Sequence, residues 1–332
     1  MTSSQPTRTN YSRRFFWFAV AIVLAIGAYT AGWYYAAGEL TQRVNAGVAA
    51  LNGDGRRASC ENAEARGYPF RIGVFCRSVM FEESGRGIGF RAREFRSAAQ
   101  VYAPRHALAE LEGPATLQFP GLMAMDLEWS SLRASSRLAS PVPDLISLEA
   151  RDLAVGPDEP GALRTVLWRA DQMEVHMRPA GEDLDLAIRF SGLSLDGAIA
   201  DAVTLPAFEG LVDLQLARAV TIIDPLAASL RGRSGILRDA TITVAGSEAG
   251  VTIRGPVSVD DQGLVDAELD VTLREARAIA EILVSLLPDA RQEIELSLSA
   301  IEAMGETPTL PLRIVNGDVS VGFISLGAIP PL

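Results

Sequence analysis

The segment at residues 15–37, FFWFAVAIVLAIGAYTAGWYYAA, contains no charged residue. At about 1.5 Å per helical residue, its twenty-three residues are enough to cross a hydrocarbon core of about 30 Å. Trp17 near one end, and Trp33 and Tyr34 near the other, suit the two headgroup zones of a bilayer. We therefore predict a transmembrane anchor at residues 15–37, preceded by a cytoplasmic arm at residues 1–14.

Charge around this segment predicts its orientation. Arg8, Arg13 and Arg14 precede it, and the first acidic residue of the chain is Glu39. Positive residues stay on the cytoplasmic side, so the amino terminus is expected in the cytoplasm and the body is expected to be exported. A cleaved signal peptide is the alternative, although the apolar region of such peptides is usually about 7–15 residues long. Both interpretations export the body.

The composition of the body limits what it can do. The chain has 30 basic and 41 acidic residues, and three of the basic residues lie in the arm, so the body carries 27 − 41 = −14. Such an acidic body argues against nucleic acid and against electrostatic docking on anionic lipid. Every basic residue is arginine. A Walker-type phosphate loop and Schiff-base chemistry both need lysine and are therefore excluded.

The two cysteines, Cys60 and Cys76, both follow the predicted anchor. In an oxidising compartment such a pair predicts a disulfide, and closing so short a loop contributes on the order of 3 kcal/mol. Two free thiols in the core are the alternative.

The pattern of apolar residues changes after the anchor. Residues 38–55 continue as a helical stalk, with Leu40, Val44, Val48 and Leu51 at helical spacing. Beyond residue 55, apolar residues alternate with polar ones, which predicts strands with one apolar face. We expect a first β-rich half at residues 56–139 and a second at residues 144–332, separated by the SPVP sequence at residues 140–143.

Two elements near the carboxyl terminus can be predicted from local patterns. Residues 274–287 have apolar residues at helical spacing and end before Pro288, which predicts a helix. The Asn316-Gly317 pair between two alternating runs predicts a hairpin with a type I′ turn. The sequence from Ala290 to Gly305 mixes helical and alternating patterns, and its type stays open. The predicted fold is mainly β, with curved antiparallel sheets forming a half-barrel or a sandwich.

Two short segments of the body carry a family resemblance. They read ARGYPFR at residues 65–71 and QVYAPRH at residues 100–106, and the first lies between the two cysteines. Together with the single anchor they resemble the bacterial family called domain of unknown function 2125. The resemblance implies a periplasmic body anchored in the inner membrane and brings no established activity. A looser architectural likeness extends to AsmA-like envelope proteins, whose apolar β face is thought to hold lipid tails.

Motifs for catalysis or metal binding are weak. His106 and His176 fit no metal spacing, and no GxSxG sequence occurs. Asp260, Asp261 and Asp266 lack the EF-hand pattern. We therefore expect structural roles for the two histidines and the three aspartates. We predict no enzymatic activity, no cofactor and no metal site.

The candidate binding residues fall into two groups. An apolar face is expected around Met125, Met173, Leu186 and Leu269, as a ligand groove or as a closed core. The arginines Arg66, Arg71 and Arg77 bind either an anionic headgroup or acids of the body itself.

The sequence favours a non-enzymatic envelope protein that holds or passes phospholipid or another apolar ligand along a β face. The alternative is a structural or assembly factor that binds a partner protein at the inner membrane. The apolar face discriminates between them. An open groove lined by several strands favours lipid, and a filled sandwich favours a scaffold.

Overall fold

The computed structural model describes residues 11–120, 123–140, 142–158, 166–195, 205–220, 230–321 and 324–332. This part of the chain is mainly β, with one long amino-terminal helix and a helical hairpin near the carboxyl terminus. The strands form one open, curved antiparallel sheet, which confirms the predicted fold class.

The amino-terminal helix α1 runs without interruption from Tyr11 to Leu51. The predicted anchor and stalk are therefore one helix of 41 residues, about 60 Å long. Among the described helices it is the one long and apolar enough to cross a membrane. Asn52 ends it: the side-chain amide donates to Val48 O at 2.9 Å, and Oδ1 accepts from Ala58 N at 2.7 Å. The same side chain thus ties the helix end to the first strand.

The first half of the sheet contains ten short strands. They are β1 (Arg56–Cys60), β2 (Glu64–Arg66), β3 (Arg71–Cys76), β4 (Val79–Glu83), β5 (Ile88–Ala92), β6 (Phe95–Gln100), β7 (Ala103–Leu111), β8 (Ala115–Gln118), β9 (Met125–Glu128) and β10 (Ser131–Arg137).

These ten segments are the halves of five long strands. β4 pairs with β1 and β5, whereas β3, which directly precedes it, pairs with β2 and β6. In the same way, β5 and β6, β7 and β8, and β9 and β10 are each two consecutive segments of one interrupted strand. Backbone hydrogen bonds continue across the interruptions, for example from Arg77 N to Glu61 O at 2.8 Å. Irregularities of this kind bend strands and allow a sheet to curve.

The second half of the sheet contains longer strands. They are β11 (Leu145–Pro157), β12 (Trp168–Ala180), β13 (Asp183–Leu195), β14 (Phe208–Leu216), β15 (Arg233–Val244), β16 (Gly250–Val259), β17 (Val265–Arg274), β18 (Thr309–Val315), β19 (Asp318–Val321) and β20 (Ile324–Ala328). Each strand before β20 pairs with the strand that follows it in sequence, so this half of the sheet is a simple antiparallel meander.

β11 joins the two halves, because it pairs with both β9 and β10 on one side and with β12 on the other. The predicted boundary at residues 140–143, of which Pro141 lies outside the described residues, falls in the connection between β10 and β11. The sheet is continuous across it.

A helical hairpin is inserted between β17 and β18. Its helices are α2 (Ala276–Leu286) and α3 (Arg291–Glu302), joined by a 3-10 turn at Pro288–Ala290. The first helix was predicted, and the second settles the segment whose pattern was mixed. The Asn316-Gly317 hairpin is also confirmed: it joins β18 to β19, and its two residues have φ of 51° and 87°, as a type I′ turn requires.

The register aligns apolar side chains into rows that cross the sheet, because directly paired residues point to the same side. One row runs over nine strands, or about 38 Å at about 4.8 Å per strand. Its members are Ala134, Leu148, Val175, Ile188, Val212, Ala240, Ile253, Val271 and Leu310. We call the side of the sheet that carries this row the apolar face.

The apolar face is not sealed beneath a second layer of the described chain. Most residues of this row are half-buried, and Leu148 is 38% exposed. Among the described residues, Leu184 is the one large side chain less than 2% exposed. A filled sandwich of this size buries many large side chains completely. The described sheet therefore has an open face.

Helix α1 lies along the first long strand, to which it runs antiparallel. Its end at Leu51 leads into β1, and Trp33 Nε1 donates to Arg71 O at 2.9 Å beside the β2–β3 turn. We call the end of the sheet at this turn the proximal end and the end at Arg56 the distal end. The α2–α3 hairpin leaves the sheet at the distal end.

The predicted disulfide is present. Cys60 at the end of β1 and Cys76 at the end of β3 are bonded, with Cα atoms 5.2 Å apart. The bond joins the first two long strands where both are interrupted, so it holds together the part of the sheet on which α1 packs.

Cys76→Ser should lower the free energy of unfolding by about 2–4 kcal/mol, because the unfolded chain loses its cross-link. Urea unfolding of the full chain, followed by far-ultraviolet circular dichroism, measures the change. Wild-type protein under reductant is the control and should show the same loss. Full alkylation of both thiols in untreated wild-type protein would contradict the pairing.

Candidate functional site

A large apolar cavity lies between the second half of α1 and the first half of the sheet. Its volume is about 830 Å³, within the range of about 300–1,000 Å³ typical of small-molecule sites. Its lining comes from α1 and from strands β1, β3, β4, β5, β6, β7, β10 and β11. We call this cavity the groove.

Small side chains form part of the floor of the groove. Ala99 pairs with Ala107, and Ala109 pairs with Ala134, so four lining alanines lie on three adjacent strands. Short side chains at these positions leave space beneath the helix that larger apolar residues would fill.

Larger residues complete the lining. The aromatic ones are Phe81 and Phe90, which are directly paired on β4 and β5, and Phe95 on β6. The opposite wall is the stripe of Leu40, Val44, Val48 and Leu51 on α1, all half-buried.

Gly73, in the floor, cannot carry a side chain. A Cβ there would lie 1.7 Å from Ser97 O on β6. Next to it, Ser97 Oγ accepts from Val74 N at 2.8 Å, so a side chain takes the place of a backbone ladder bond. The serine is thus occupied in joining β3 to β6.

The groove is continuous with the rest of the apolar face. Leu138 and Leu148, both in its lining, are 44% and 38% exposed, and Leu148 belongs to the row that crosses the second half of the sheet. Ser136 on β10 lies between the lining residues Ala134 and Leu138. Its Oγ is shielded from solvent, and no group in the described part of the chain bonds to it.

Charged groups of these strands lie on the opposite face. Glu82 follows Phe81 on β4 and pairs with Arg57 at 2.7 Å and with Arg91. The hydrogen bond from Arg91, aided by Arg57 and opposed by partial desolvation, lowers the pKa of Glu82 below its ordinary 4.5. Glu110 likewise pairs with Arg133 at 2.9 Å. The groove therefore stays apolar while its supporting strands are linked by ion pairs.

A similar ion pair lies further along the sheet. Burial raises the pKa of Asp239, but the hydrogen bonds from Thr241 at 2.6 Å and from Arg254 more than offset burial, so this pKa lies below its ordinary 3.8. Asp185, 9% exposed, accepts from Arg178 at 3.0 Å and from Arg238 at 2.9 Å. These carboxylates serve as partners of arginines.

The predicted apolar-face residues lie outside the groove lining. Met125 and Met173 pack against one cluster formed by Ala150, Leu153 and Val155. The register places Leu186 in a row beside that of Leu148, opposite Met177 and Leu214 on the same face.

Leu269 packs against a separate cluster of Val265, Ala267 and Ile314. All four residues are half-buried. The cavity itself lies nearer the amino terminus than these four residues.

The three predicted headgroup arginines differ. Arg66 pairs with Glu64 at 2.8 Å and lies over the Phe75 ring at 4.7 Å, and Arg77 pairs with Glu61 at 3.5 Å. Both therefore bind acids of the body itself. Arg71 is exposed at the proximal end, and none of the described acids forms an ion pair with it.

The described residues include no group of three or more histidine, cysteine or acidic side chains that could hold a metal ion. His176 contacts Ser147 Oγ at 2.9 Å, and His106 lies in β7. Asp260 Oδ1 accepts from Gln262 N and Leu264 N, each at 2.8 Å, and so stabilises its own turn.

The helix stripe and the alanine floor were missed as parts of a site. The stripe was visible in the sequence, but spacing alone assigned it to a stalk. The alanines are spread over some thirty-five positions and meet only through strand pairing. Nothing in their local sequence marks them.

The fold and the groove define a class of protein: an open meander sheet whose amino-terminal helix covers one end of an apolar face. The chain belongs to a bacterial family described as "Uncharacterized protein conserved in bacteria (DUF2125)", whose model matches residues 33–330. The match begins at Trp33, so it includes the part of α1 that lines the groove. No curated protein matches the chain.

Proposed function

We propose that this protein is a membrane-anchored envelope protein that binds the apolar chains of a lipid in the groove. The observation that carries the proposal is an apolar cavity of about 830 Å³ that continues into a half-exposed apolar face. Among soluble proteins, apolar surfaces this extensive mark ligand or interaction sites.

The gain from filling the groove is large. Each methylene transferred from water contributes about 0.8 kcal/mol. Ten methylenes therefore offer about 8 kcal/mol before the cost of ordering the chain is subtracted.

The groove favours binding over chemistry. Its polar lining residues are Ser59, Ser97 and Glu110. Ser97 is occupied with Val74, and Glu110 with Arg133. No nucleophile–base pair is present among the described lining residues, so we propose a non-enzymatic role in holding or passing lipid.

We propose further that α1 anchors the protein in the inner membrane, with the body in the periplasm. The apolar segment, the arginines before it and the bacterial family support this location. The Cys60–Cys76 disulfide supports an oxidising compartment.

One observation favours a second candidate, the assembly factor. The α2–α3 hairpin exposes several large apolar side chains at the distal end: Leu283, Leu286, Leu287 and Leu296 are 38–67% exposed. Surfaces of this kind also bind partner proteins. We prefer the lipid-binding proposal because the groove is a cavity that is already formed.

Ala109→Phe is the sharpest test of the groove. The ring fills the floor and displaces roughly three methylenes, so affinity for lipid should fall by roughly fiftyfold. Mass spectrometry of lipid that co-purifies with the full chain in detergent, together with its thermal melting, measures both binding and folding.

Leu108→Phe is the matched control, because Leu108 is the neighbouring residue on β7, 60% exposed on the opposite face. It should leave bound lipid unchanged. Wild-type protein without bound lipid, or equal lipid in both variants at a normal melting temperature, would rule out groove binding and leave the assembly role.

A reporter enzyme that is active only outside the cytoplasm, fused after Leu332, should be active, and the mature chain should keep its amino terminus. The apolar segment exports the body without being cleaved. Activity assays and amino-terminal sequencing measure these outcomes. A cytosolic body, or a mature terminus near Ala37, would refute the anchor.

A further inference from the structure

Two turns at the proximal end present large apolar side chains to solvent beside α1. The β2–β3 turn carries Tyr68 and Phe70, which are 44% and 69% exposed. The β6–β7 turn carries Val101 and Tyr102, which are 39% and 76% exposed. The two turns are adjacent, because Val101 N donates to Phe70 O at 3.1 Å. We call these four residues the rim.

The rim is attached to the helix by specific contacts. Tyr29 hydroxyl donates to Pro69 O, and the hydroxyls of Thr30 and Tyr68 lie 2.7 Å apart. The Tyr68 ring stacks on Tyr34 with centroids 6.0 Å apart and meets Trp33 edge-on at 5.4 Å. Together with the bond from Trp33 to Arg71, these contacts fix the height of the rim along α1.

That height corresponds to the membrane surface. Residues 15–32 extend for about 27 Å of helix, close to the thickness of a hydrocarbon core of about 30 Å. A span by these residues places Trp33 and Tyr34 at the headgroup level, where tryptophan and tyrosine concentrate. Since Tyr68 packs on both rings, the rim lies at the same level.

Three arginines lie at the same end of the sheet as the rim. Arg71, Arg105 and Arg137 are exposed at the proximal ends of β3, β7 and β10. None of the described acids forms an ion pair with them. Arginine at this level donates hydrogen bonds to phosphate while its stem covers apolar surface.

We propose that the rim inserts into the headgroup region of the leaflet on the body's side of the membrane that α1 spans. The proposal rests on the anchor role of α1 in the proposed function. The groove reaches this end of the sheet, because Ile72, Pro104 and Leu138 at the proximal end belong to its lining. The rim therefore opens the groove to the leaflet, so a lipid chain enters from the bilayer without crossing water. Apolar insertion explains how an acidic body rests on a membrane surface.

An environment-sensitive fluorophore on the rim tests the proposal. We would attach NBD to Tyr102→Cys in the full chain, reconstituted in phosphatidylcholine nanodiscs. The native cysteines are paired, so the introduced thiol takes the label. Ser84→Cys, in the exposed β4–β5 turn at the distal end, is the control. At position 102, spin-labelled lipid should quench the fluorophore, and the apolar surroundings should shift its emission to the blue, whereas position 84 should show neither effect. Salt at about 0.5 M should not reverse the quenching, because apolar contacts resist screening.

Phe70→Cys provides a second position in case one variant folds poorly, and circular dichroism checks both. Quenching at positions 102 and 70 no greater than at position 84 would overturn the proposal. Lipid that co-purifies with the same variants in detergent, before reconstitution, separates the two claims. Bound lipid without quenching removes the rim proposal alone, and quenching without bound lipid removes the groove function alone.

Discussion

The contact between α1 and the first long strands is the interaction on which the rest of the molecule depends. The stripe of Leu40, Val44, Val48 and Leu51 closes a space that the alanine floor leaves open. Asn52 fixes the end of the helix to β1, and Trp33, near the middle of the helix, donates to Arg71 O. One continuous helix thus provides an apolar segment long enough to cross a membrane and the wall of a cavity in the body.

Beyond the groove the sheet keeps its apolar face, which is more open to solvent there. Its ion pairs, such as that of Asp185 with Arg178 and Arg238, gather on one face and leave the other to apolar rows. Half-exposed apolar rows contribute less burial than a filled core, and a folded domain has only about 5–15 kcal/mol of net stability. Bound lipid would cover this face and add its binding energy to the stability of the folded state.

The sequence predicted local structure well, because alternation, helical spacing and turn chemistry act within a few residues. The strands, the disulfide and the Asn316-Gly317 hairpin are therefore confirmed. The groove depends on which elements lie against each other, and alternation does not specify that. Ala109 is part of the groove floor because it pairs with Ala134 on β10 and lies beneath a helix more than fifty residues away in the sequence. Met125 and Leu269 satisfied the same local pattern and lie elsewhere on the apolar face.

Photo-crosslinking tests the central claim most directly. A phospholipid with a diazirine in its acyl chain, reconstituted with the full chain and irradiated, marks whatever the chain touches. Lipid in the groove predicts labelled peptides from β7, β10 and the part of α1 that contains Leu40 and Val48. Label confined to residues 15–32 would show that the acyl chains contact the anchor and not the groove, and would contradict the account.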